Sequence, residues 1–269
     1  MMPTHPVAHS PSHPITQLPT HQLPNPMWKI TYRVHRQKGH EAPHYDTFQV
    51  EVDPEEYVLD GVEKIWAFED RSLTFRHACH HSTCGACGMR VNGVEKLTCI
   101  TKIKDVTQDG GTLTVEPLRN FPIVSDLVVD LGPLYRKMEA VQAPKVHPLS
   151  MAPWEGEDIR PPKEVPAPPE GGEYIRLPDC LECGICISAC PVAASDPDYL
   201  GPAPLAAIQI QGLDGHPELL ALADSQEGVW RCHSAFECSA VCPSNVDPGW
   251  RIMDLRKQVA TQRLKTIIG

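Results

Sequence analysis

The sequence predicts an α+β chain in which a mixed sheet crossed by one helix precedes an all-helical domain. Three observations support this. Apolar residues alternate over 28–34 and again over 48–52, as they do in a hairpin of two strands. Eight prolines over residues 143–174 form an extended linker rather than a folded unit. After that linker no strand pattern is evident, and apolar residues recur at helical spacing over 202–211, 217–223 and 248–268.

The elements of the first part follow in order from local signals. After the hairpin, Asp53-Pro54-Glu55-Glu56 offers a cap, a proline for the first helical position and acids for the first turn. We therefore expect a helix that carries Val58, Val62, Ile65 and Trp66. Strand signals return in short runs and stop beyond about Ser125. The short runs are Gly88 to Val91, Leu97 to Cys99 and Thr112 to Leu118.

Three segments are expected from these signals. Residues 1–26 form an N-terminal extension with seven prolines, four histidines and no charged residue. Residues 27–124 form the sheet domain, and residues 125–269 contain the proline-rich linker and the helical domain. The extension lacks the charged start of a secretory signal, so a prokaryotic cytoplasm is the expected compartment.

Composition excludes several classes of protein. The 269 residues are 41% hydrophobic and 22% charged, which is ordinary globular usage. The net charge is -10, whereas a nucleic-acid-binding protein would be basic. No run approaches the roughly 20 apolar residues that a membrane-spanning helix needs. Eleven cysteines in a reducing compartment indicate metal binding rather than disulfides.

The first cysteine group predicts a 2Fe-2S cluster. Cys79, Cys84 and Cys87 have the spacing C-x4-C-x2-C, and Cys99 follows at a distance. A four-cysteine zinc site is the competing interpretation, although zinc sites use paired C-x2-C spacings and only one such pair is present here. His80 and His81 lie in the same loop and would suit a Rieske-like centre, but four cysteines already complete the ligand shell.

The second and third groups predict two further clusters with exchanged ligands. Cys180, Cys183, Cys186 and Cys190 precede Pro191 in a complete C-x2-C-x2-C-x3-C-P run. In two-cluster ferredoxins the last cysteine of such a run binds the other cluster. A second run ends in Cys242-Pro243, so a 4Fe-4S cluster is expected on Cys180, Cys183, Cys186 and Cys242.

One ligand is missing from the second run. Cys232 and Cys238 keep the register, but Ala235 stands where the second cysteine would be. Cys190, Cys232 and Cys238 therefore provide three thiolates, which fit a 3Fe-4S cluster. The alternative is a 4Fe-4S cluster in which one iron binds water. Such an iron could act as a Lewis acid on a substrate, and the cluster would then be a catalytic site.

These motifs resemble the iron-sulfur subunit of succinate dehydrogenase and fumarate reductase. The resemblance runs from Met27 to the end of the second run, including Tyr199-Leu-Gly-Pro202 and Trp230-Arg-Cys232-His233. It implies a plant-type ferredoxin (β-grasp) domain followed by a helical bacterial-type ferredoxin domain. It also implies electron transfer between the FAD of a flavoprotein and a membrane quinone. The implied partners are that flavoprotein, which holds the dicarboxylate site, and a membrane anchor that binds quinone and in some members haem.

The resemblance also implies a location and a quinone route. The chain would lie on the cytoplasmic face of a prokaryotic inner membrane, and a basic C-terminal helix would suit that surface. Well-known members have a serine and two tryptophans after the first Cys-Pro, where Val192, Ala193 and Ala194 stand here. His233 is present, so we expect His233 and Trp230 to line the route to the quinone.

Two other functions remain open from the sequence. A free-standing electron carrier would not need the long proline-rich linker or the uncharged extension. An iron-sulfur subunit of a soluble complex that reduces fumarate with thiols, or that serves a heterodisulfide reductase, would share the cluster motifs. The residues do not form a constellation that activates a carboxylate, so this chain is expected to conduct electrons only.

Overall fold

The computed structural model describes residues 26–141 and 180–268, with side chains to residue 265. The N-terminal extension, apart from its last residue, and the proline-rich linker lie outside the described residues. The first part holds a five-stranded sheet, a two-stranded sheet and two α-helices. Its elements are β1 (Trp28–Arg36), β2 (His44–Val52), α1 (Val58–Lys64), β3 (Gly88–Val91), β4 (Val94–Leu97), β5 (Thr112–Glu116), β6 (Ile123–Ser125), β7 (Val128–Val129) and α2 (Gly132–Ala140).

The larger sheet has the strand order β2-β1-β5-β3-β4 and is mixed, as predicted. β1 pairs antiparallel with β2 and parallel with β5, while β3 pairs antiparallel with both β5 and β4. Helix α1 packs on this sheet at Gly61, where an added Cβ would lie 2.0 Å from the Tyr32 hydroxyl. A side chain at residue 61 would therefore push the helix off the sheet.

Several bounds differ from the sequence-based expectation. Helix α1 ends at Lys64, so Ile65 and Trp66 lie in the π-helical turn that follows it over Ile65–Glu69, and β5 ends at Glu116 rather than at Leu118. The α1 helix begins at Val58, because Asp53 and Glu56 close a separate turn in which the Asp53 N–H donates to the Glu56 carboxylate at 3.1 Å. The expected strand at Leu97 to Cys99 ends at Leu97 and continues as a 3-10 turn over Thr98–Ile100. Strand pairing also continues past Ser125, since β7 pairs with β6.

The second part is all-helical over its described residues, as predicted. Three of its helices have the predicted bounds, and three short helices surround the cysteines. The helices are α3 (Ile185–Ala189), α4 (Pro191–Ser195), α5 (Pro202–Gln211), α6 (Pro217–Ala223), α7 (Glu237–Ala240) and α8 (Pro248–Ile268). No helix among the described residues is long and apolar enough to cross a membrane.

One of the two hydrophobic clusters spans both parts of the chain. Leu118 and Phe121 of the first part belong to the same buried cluster as Ile185 and Leu205 of the second. Polar contacts reinforce the junction, because the Asn120 amide donates to the carbonyls of Ile187, Ser188 and Cys190 at 2.8 to 3.2 Å. The thiol-bearing segments of both parts are therefore held in a fixed relation.

Candidate iron-sulfur centres

The first thiol set lies in two places: Cys79, Cys84 and Cys87 are in the loop before β3, and Cys99 is in the 3-10 turn that follows β4. Residues in this loop adopt left-handed backbone conformations at His80 (φ 57°), Ser82 (φ 60°) and Gly85 (φ 69°). This curvature turns backbone donors inward, so that the N–H groups of His81 and Thr83 point to the Cys79 sulfur at 3.5 and 3.3 Å. Hydrogen bonds to a cluster sulfur stabilise its negative charge, which is the chemistry that a reduced iron-sulfur centre needs.

The thiols of this set differ in their surroundings. Cys84 is exposed, whereas Cys87 and Cys99 are each 2% exposed. Hydrogen bonds from the Thr83 side chain and from the His81 backbone lower the pKa of Cys79 to about 5. Burial, together with the nearby Cys87 thiol, raises the pKa of Cys99 to about 12. The pKa of the Cys79 thiol is therefore lowered by the loop, whereas the pKa of the Cys99 thiol is raised by burial against the core.

The second thiol set lines a cavity in the helical part. Cys180, Cys183, Cys186 and Cys242 all line it, so a residue of the second cysteine run closes a cavity begun by the first. Burial raises the pKa of Cys183 to about 12 and that of Cys186 further above its usual value. Apart from these thiols the lining is mostly apolar.

The third thiol set lines a second cavity in the helical part. Cys190, Cys232 and Cys238 line it together with Ala235, so the wall has three thiols and a methyl group at the position of the missing cysteine. Burial, and then the thiols of Cys190 and Cys232, raise the pKa of Cys238 to about 12. Ser234 also lines this cavity, but its hydroxyl lies 3.3 Å from the Met253 sulfur.

The first and second sets meet at Gly85. A Cβ at this glycine would lie 2.8 Å from the Cys183 Cβ and 3.0 Å from the Leu181 carbonyl oxygen. Only a residue without a side chain allows the loop to approach the Cys183 segment this closely. The second and third sets are joined through the chain itself, because α3 runs from the first cavity towards the second between Cys186 and Cys190.

The structure places the two residues expected on the quinone route differently. His233 lines the third thiol set's cavity. Trp230 does not line it: its indole N–H donates to Asp224 at 2.7 Å, and the Arg263 guanidinium lies 5.2 Å from its ring centroid. Of the three small residues that replace the aromatic wall, Val192 borders the same cavity.

An aromatic pair near this cavity was not predicted. Phe236, which lines the cavity, packs against Trp250 with ring centroids 5.1 Å apart. Trp250 is 64% exposed, an unusual position for so large an apolar group. The pairing depends on the left-handed backbone of Phe236 (φ 61°), for which the sequence carries no signal beyond the bulky residue itself.

Models of two protein families match the chain. One describes a 2Fe-2S iron-sulfur cluster binding domain and matches residues 31–136. The other describes a 4Fe-4S dicluster domain and matches residues 176–246. The chain therefore carries 2Fe-2S and 4Fe-4S domains in the order that the cysteine spacing predicts.

Curated relatives extend over most of the chain. The fumarate reductase iron-sulfur subunit of Mycobacterium tuberculosis is 36% identical over 251 residues, covering 87% of this chain and 93% of the relative. That of Escherichia coli O157:H7 is 36% identical over 211 residues, covering 77% and 82%. The mitochondrial succinate dehydrogenase iron-sulfur subunit of Candida glabrata is 29% identical over 235 residues, covering 85% and 89%.

A solved structure shares the fold. A chain of the Mycobacterium smegmatis Sdh1 complex in its apo form superposes with a TM-score of 0.69 at 24% identity. The match covers 89% of this chain and 98% of that chain. The arrangement of a mixed sheet followed by helices is therefore common to both proteins.

Proposed function

The chain belongs to the family of iron-sulfur subunits of fumarate reductase and succinate dehydrogenase, and on this premise we propose how its residues carry electrons. Cys79, Cys84, Cys87 and Cys99 hold a 2Fe-2S cluster in a plant-type ferredoxin (β-grasp) domain. Cys180, Cys183, Cys186 and Cys242 hold a 4Fe-4S cluster, and Cys190, Cys232 and Cys238 a 3Fe-4S cluster, in a bacterial-type ferredoxin domain. When bound, each cluster accepts and releases single electrons.

The observation that carries this proposal is the pair of cavities with exchanged thiols. Each cavity takes cysteines from both runs, and the thiol donors suit iron-sulfur clusters. The chain's own residues fix the spacing between the sets, with Gly85 against Cys183 at one junction and α3 at the other. The walls around the two inner sets are mostly apolar, and Cys190 and Cys238 are buried.

We further propose the partners at the two ends of this path. A flavoprotein with FAD and the dicarboxylate site would meet the loop at Cys84, whose exposure leaves that end of the path open. A membrane anchor that binds quinone, and in some members haem, would meet the face around His233. The chain would then be peripheral on the cytoplasmic side of a prokaryotic membrane. The curated relatives do not favour a thiol- or heterodisulfide-linked complex.

The contacts to quinone would come mainly from His233, and Trp230, whose indole N–H donates to Asp224, would lie beside the route. Phe236 and Trp250 would supply aromatic surface that Val192, Ala193 and Ala194 do not provide. The membrane anchor, together with this chain, would thus form the quinone pocket.

The test is Ala235→Cys in the purified complex. The added thiol completes the register of the second run and should convert the three-iron cluster to four irons, which replaces the oxidised 3Fe-4S EPR signal with one that appears on reduction. The potential of this cluster should fall and quinone reduction should slow.

The matched control is Ala240→Cys, which adds a thiol on the exposed side of α7, away from the cavity. It should leave the 3Fe-4S signal intact. A wild-type complex with only 4Fe-4S signals from the helical domain would contradict the proposal, as would the loss of the signal in the control.

A further inference from the structure

Three side chains beside the first thiol loop converge on one point. The Glu63 Oε1 atom lies 3.2 Å from His77 Nδ1 and 3.2 Å from His80 Nε2. The two imidazole nitrogens are 3.0 Å apart. These three donors form the group of three potential metal ligands found among the described residues, and none of them belongs to a cluster thiol set.

The triangle has the size of a metal site. Zinc binds imidazole nitrogen and carboxylate oxygen at about 2.0 to 2.2 Å in tetrahedral geometry, which places neighbouring ligand atoms roughly 3.3 Å apart. The observed separations of 3.0 to 3.2 Å lie just inside that value. Two histidines and one glutamate are also a donor set that zinc uses when its fourth position stays open to water.

The fold aims the three side chains before any ion binds. His77 stacks on Phe75 with ring centroids 5.2 Å apart and an interplanar angle of 18°, which fixes its ring. His80 reaches the site through its left-handed backbone (φ 57°), and its ring stands at 86° to that of His77. Glu63 comes from the last turn of α1.

The Glu63 carboxylate oxygen is poorly satisfied by the histidines alone. Oε1 is buried from solvent and has no hydrogen bond of good geometry, although two ring nitrogens lie 3.2 Å away. A buried carboxylate oxygen without a partner is costly. A cation at the centre of the triangle would satisfy it, and the half-exposed histidine rings leave a path by which an ion can enter.

We propose that Glu63, His77 and His80 bind one divalent transition-metal ion of the zinc type, separate from the iron-sulfur clusters. Because His80 follows Cys79 directly in the chain, the ion would join α1 to the loop that holds the first thiol set. Its positive charge would stabilise the reduced form of the 2Fe-2S cluster and raise that cluster's reduction potential. The ion has no redox role of its own.

The experiment titrates the purified complex with Zn²⁺ after dialysis against a weak chelator, and counts bound zinc and iron by mass spectrometry. The wild type should bind one zinc per chain beyond any background, with iron content unchanged. His80→Asn keeps a residue that tolerates the left-handed backbone, and His77→Phe keeps the stacking on Phe75. Each removes a ligand and should weaken zinc binding by more than roughly 100-fold, which is the largest loss typical of outer-shell residues.

The control is His81→Asn, which changes an exposed histidine of the same loop that contributes no atom to the triangle. It should bind zinc as the wild type does. As a second readout, Zn²⁺ should shift the EPR-monitored potential of the 2Fe-2S cluster upward in the wild type and in His81→Asn, but not in His80→Asn or His77→Phe.

Three results would overturn the proposal. They are a wild type that retains no added zinc, zinc binding that survives both ligand substitutions, and zinc binding that His81→Asn weakens as much as His80→Asn. In each case the three side chains would be an ordinary ion-pair and hydrogen-bond cluster.

Discussion

The loop that carries most of the first thiol set and the helical part that carries the other two sets prepare their thiols for metal binding in different ways. In the loop, hydrogen bonds to the Cys79 sulfur bring its pKa down to about 5, so a thiolate exists before any metal arrives. In the helical part, burial holds the pKa of Cys183 and of Cys238 at about 12. In the proposed sites, those thiols would lose their protons on binding a metal.

The difference teaches where the stability of each region comes from. The loop is attached to a domain with its own hydrophobic core, built on Ile30, Val34, Val62 and Leu113 of the large sheet and α1. The helical part is instead wrapped around two cavities, and several of its helices are only four or five residues long. We expect the sheet domain to fold without a cluster and the helical part to depend on its clusters.

The largest expected effect separates the two regions by ligand substitution. Cys186→Ser removes a deeply placed thiol. The free energy that cluster binding contributes to folding is then lost, and by analogy with structural metal sites this contribution is about 10 kcal/mol. The complex should fail to assemble. Cys84→Ser, at an exposed thiol, should yield an assembled complex in which only the 2Fe-2S EPR signal is lost or altered.

Yield of assembled complex, iron per chain and EPR spectra check this comparison. The two regions would not differ as described if Cys84→Ser abolished assembly, or if Cys186→Ser left a complex of normal yield with only one cluster changed.

A smaller effect is expected at the junction of the two regions. Gly85→Ala combines a left-handed backbone with a Cβ placed 2.8 Å from the Cys183 Cβ, and should cost about 2 to 4 kcal/mol of stability. Gly93→Ala is the matched control, because its backbone is also left-handed (φ 85°) but its added Cβ meets nothing closer than 3.8 Å.

The control should cost about 1 kcal/mol, which is the backbone contribution alone. Thermal unfolding of the complex, followed by the loss of cluster absorbance, measures both variants. Equal costs at the two glycines would show that the loop does not press on the Cys183 segment.

The smallest effect concerns the hydrogen bonds that distinguish the loop. Thr83→Val removes the hydroxyl that lowers the pKa of Cys79, while the backbone N–H of residue 83 remains. The reduced 2Fe-2S cluster loses a stabilising hydrogen bond, so the reduction potential of the cluster should become more negative by roughly tens of millivolts. Thr83→Ser keeps the hydroxyl and should match the wild type in an EPR-monitored redox titration. A shift of the same size in both variants would assign the effect to packing.

Local chemistry explains what the sequence could predict. Cysteine spacing encodes ligand geometry directly. The grouping of Cys242 with the first run, and of Cys190 with the second, could therefore be predicted from the sequence. The cavity walls contain the same groups of cysteines. Their roles as ligands remain predictions. The long helices α5 and α8 were predicted at their observed bounds because their apolar spacing is regular.

What the sequence could not predict depends on backbone conformation or distant contacts. The start of α1 was placed too early because Asp53 and Glu56 satisfy each other in a turn that mimics a helix cap. The Phe236–Trp250 pair and the Glu63–His77–His80 triangle both require a left-handed residue to turn a side chain towards a partner elsewhere. Neither conformation follows from residue type.

The exchange of thiols between the two cysteine runs sets an order for the biogenesis of the protein. The first thiol set is complete once Cys99 has left the ribosome. The first cavity of the helical part cannot be closed until Cys242, far along the chain, has also emerged. Iron delivery to the helical part must therefore wait for Cys242, whereas the sheet domain can be loaded while synthesis continues.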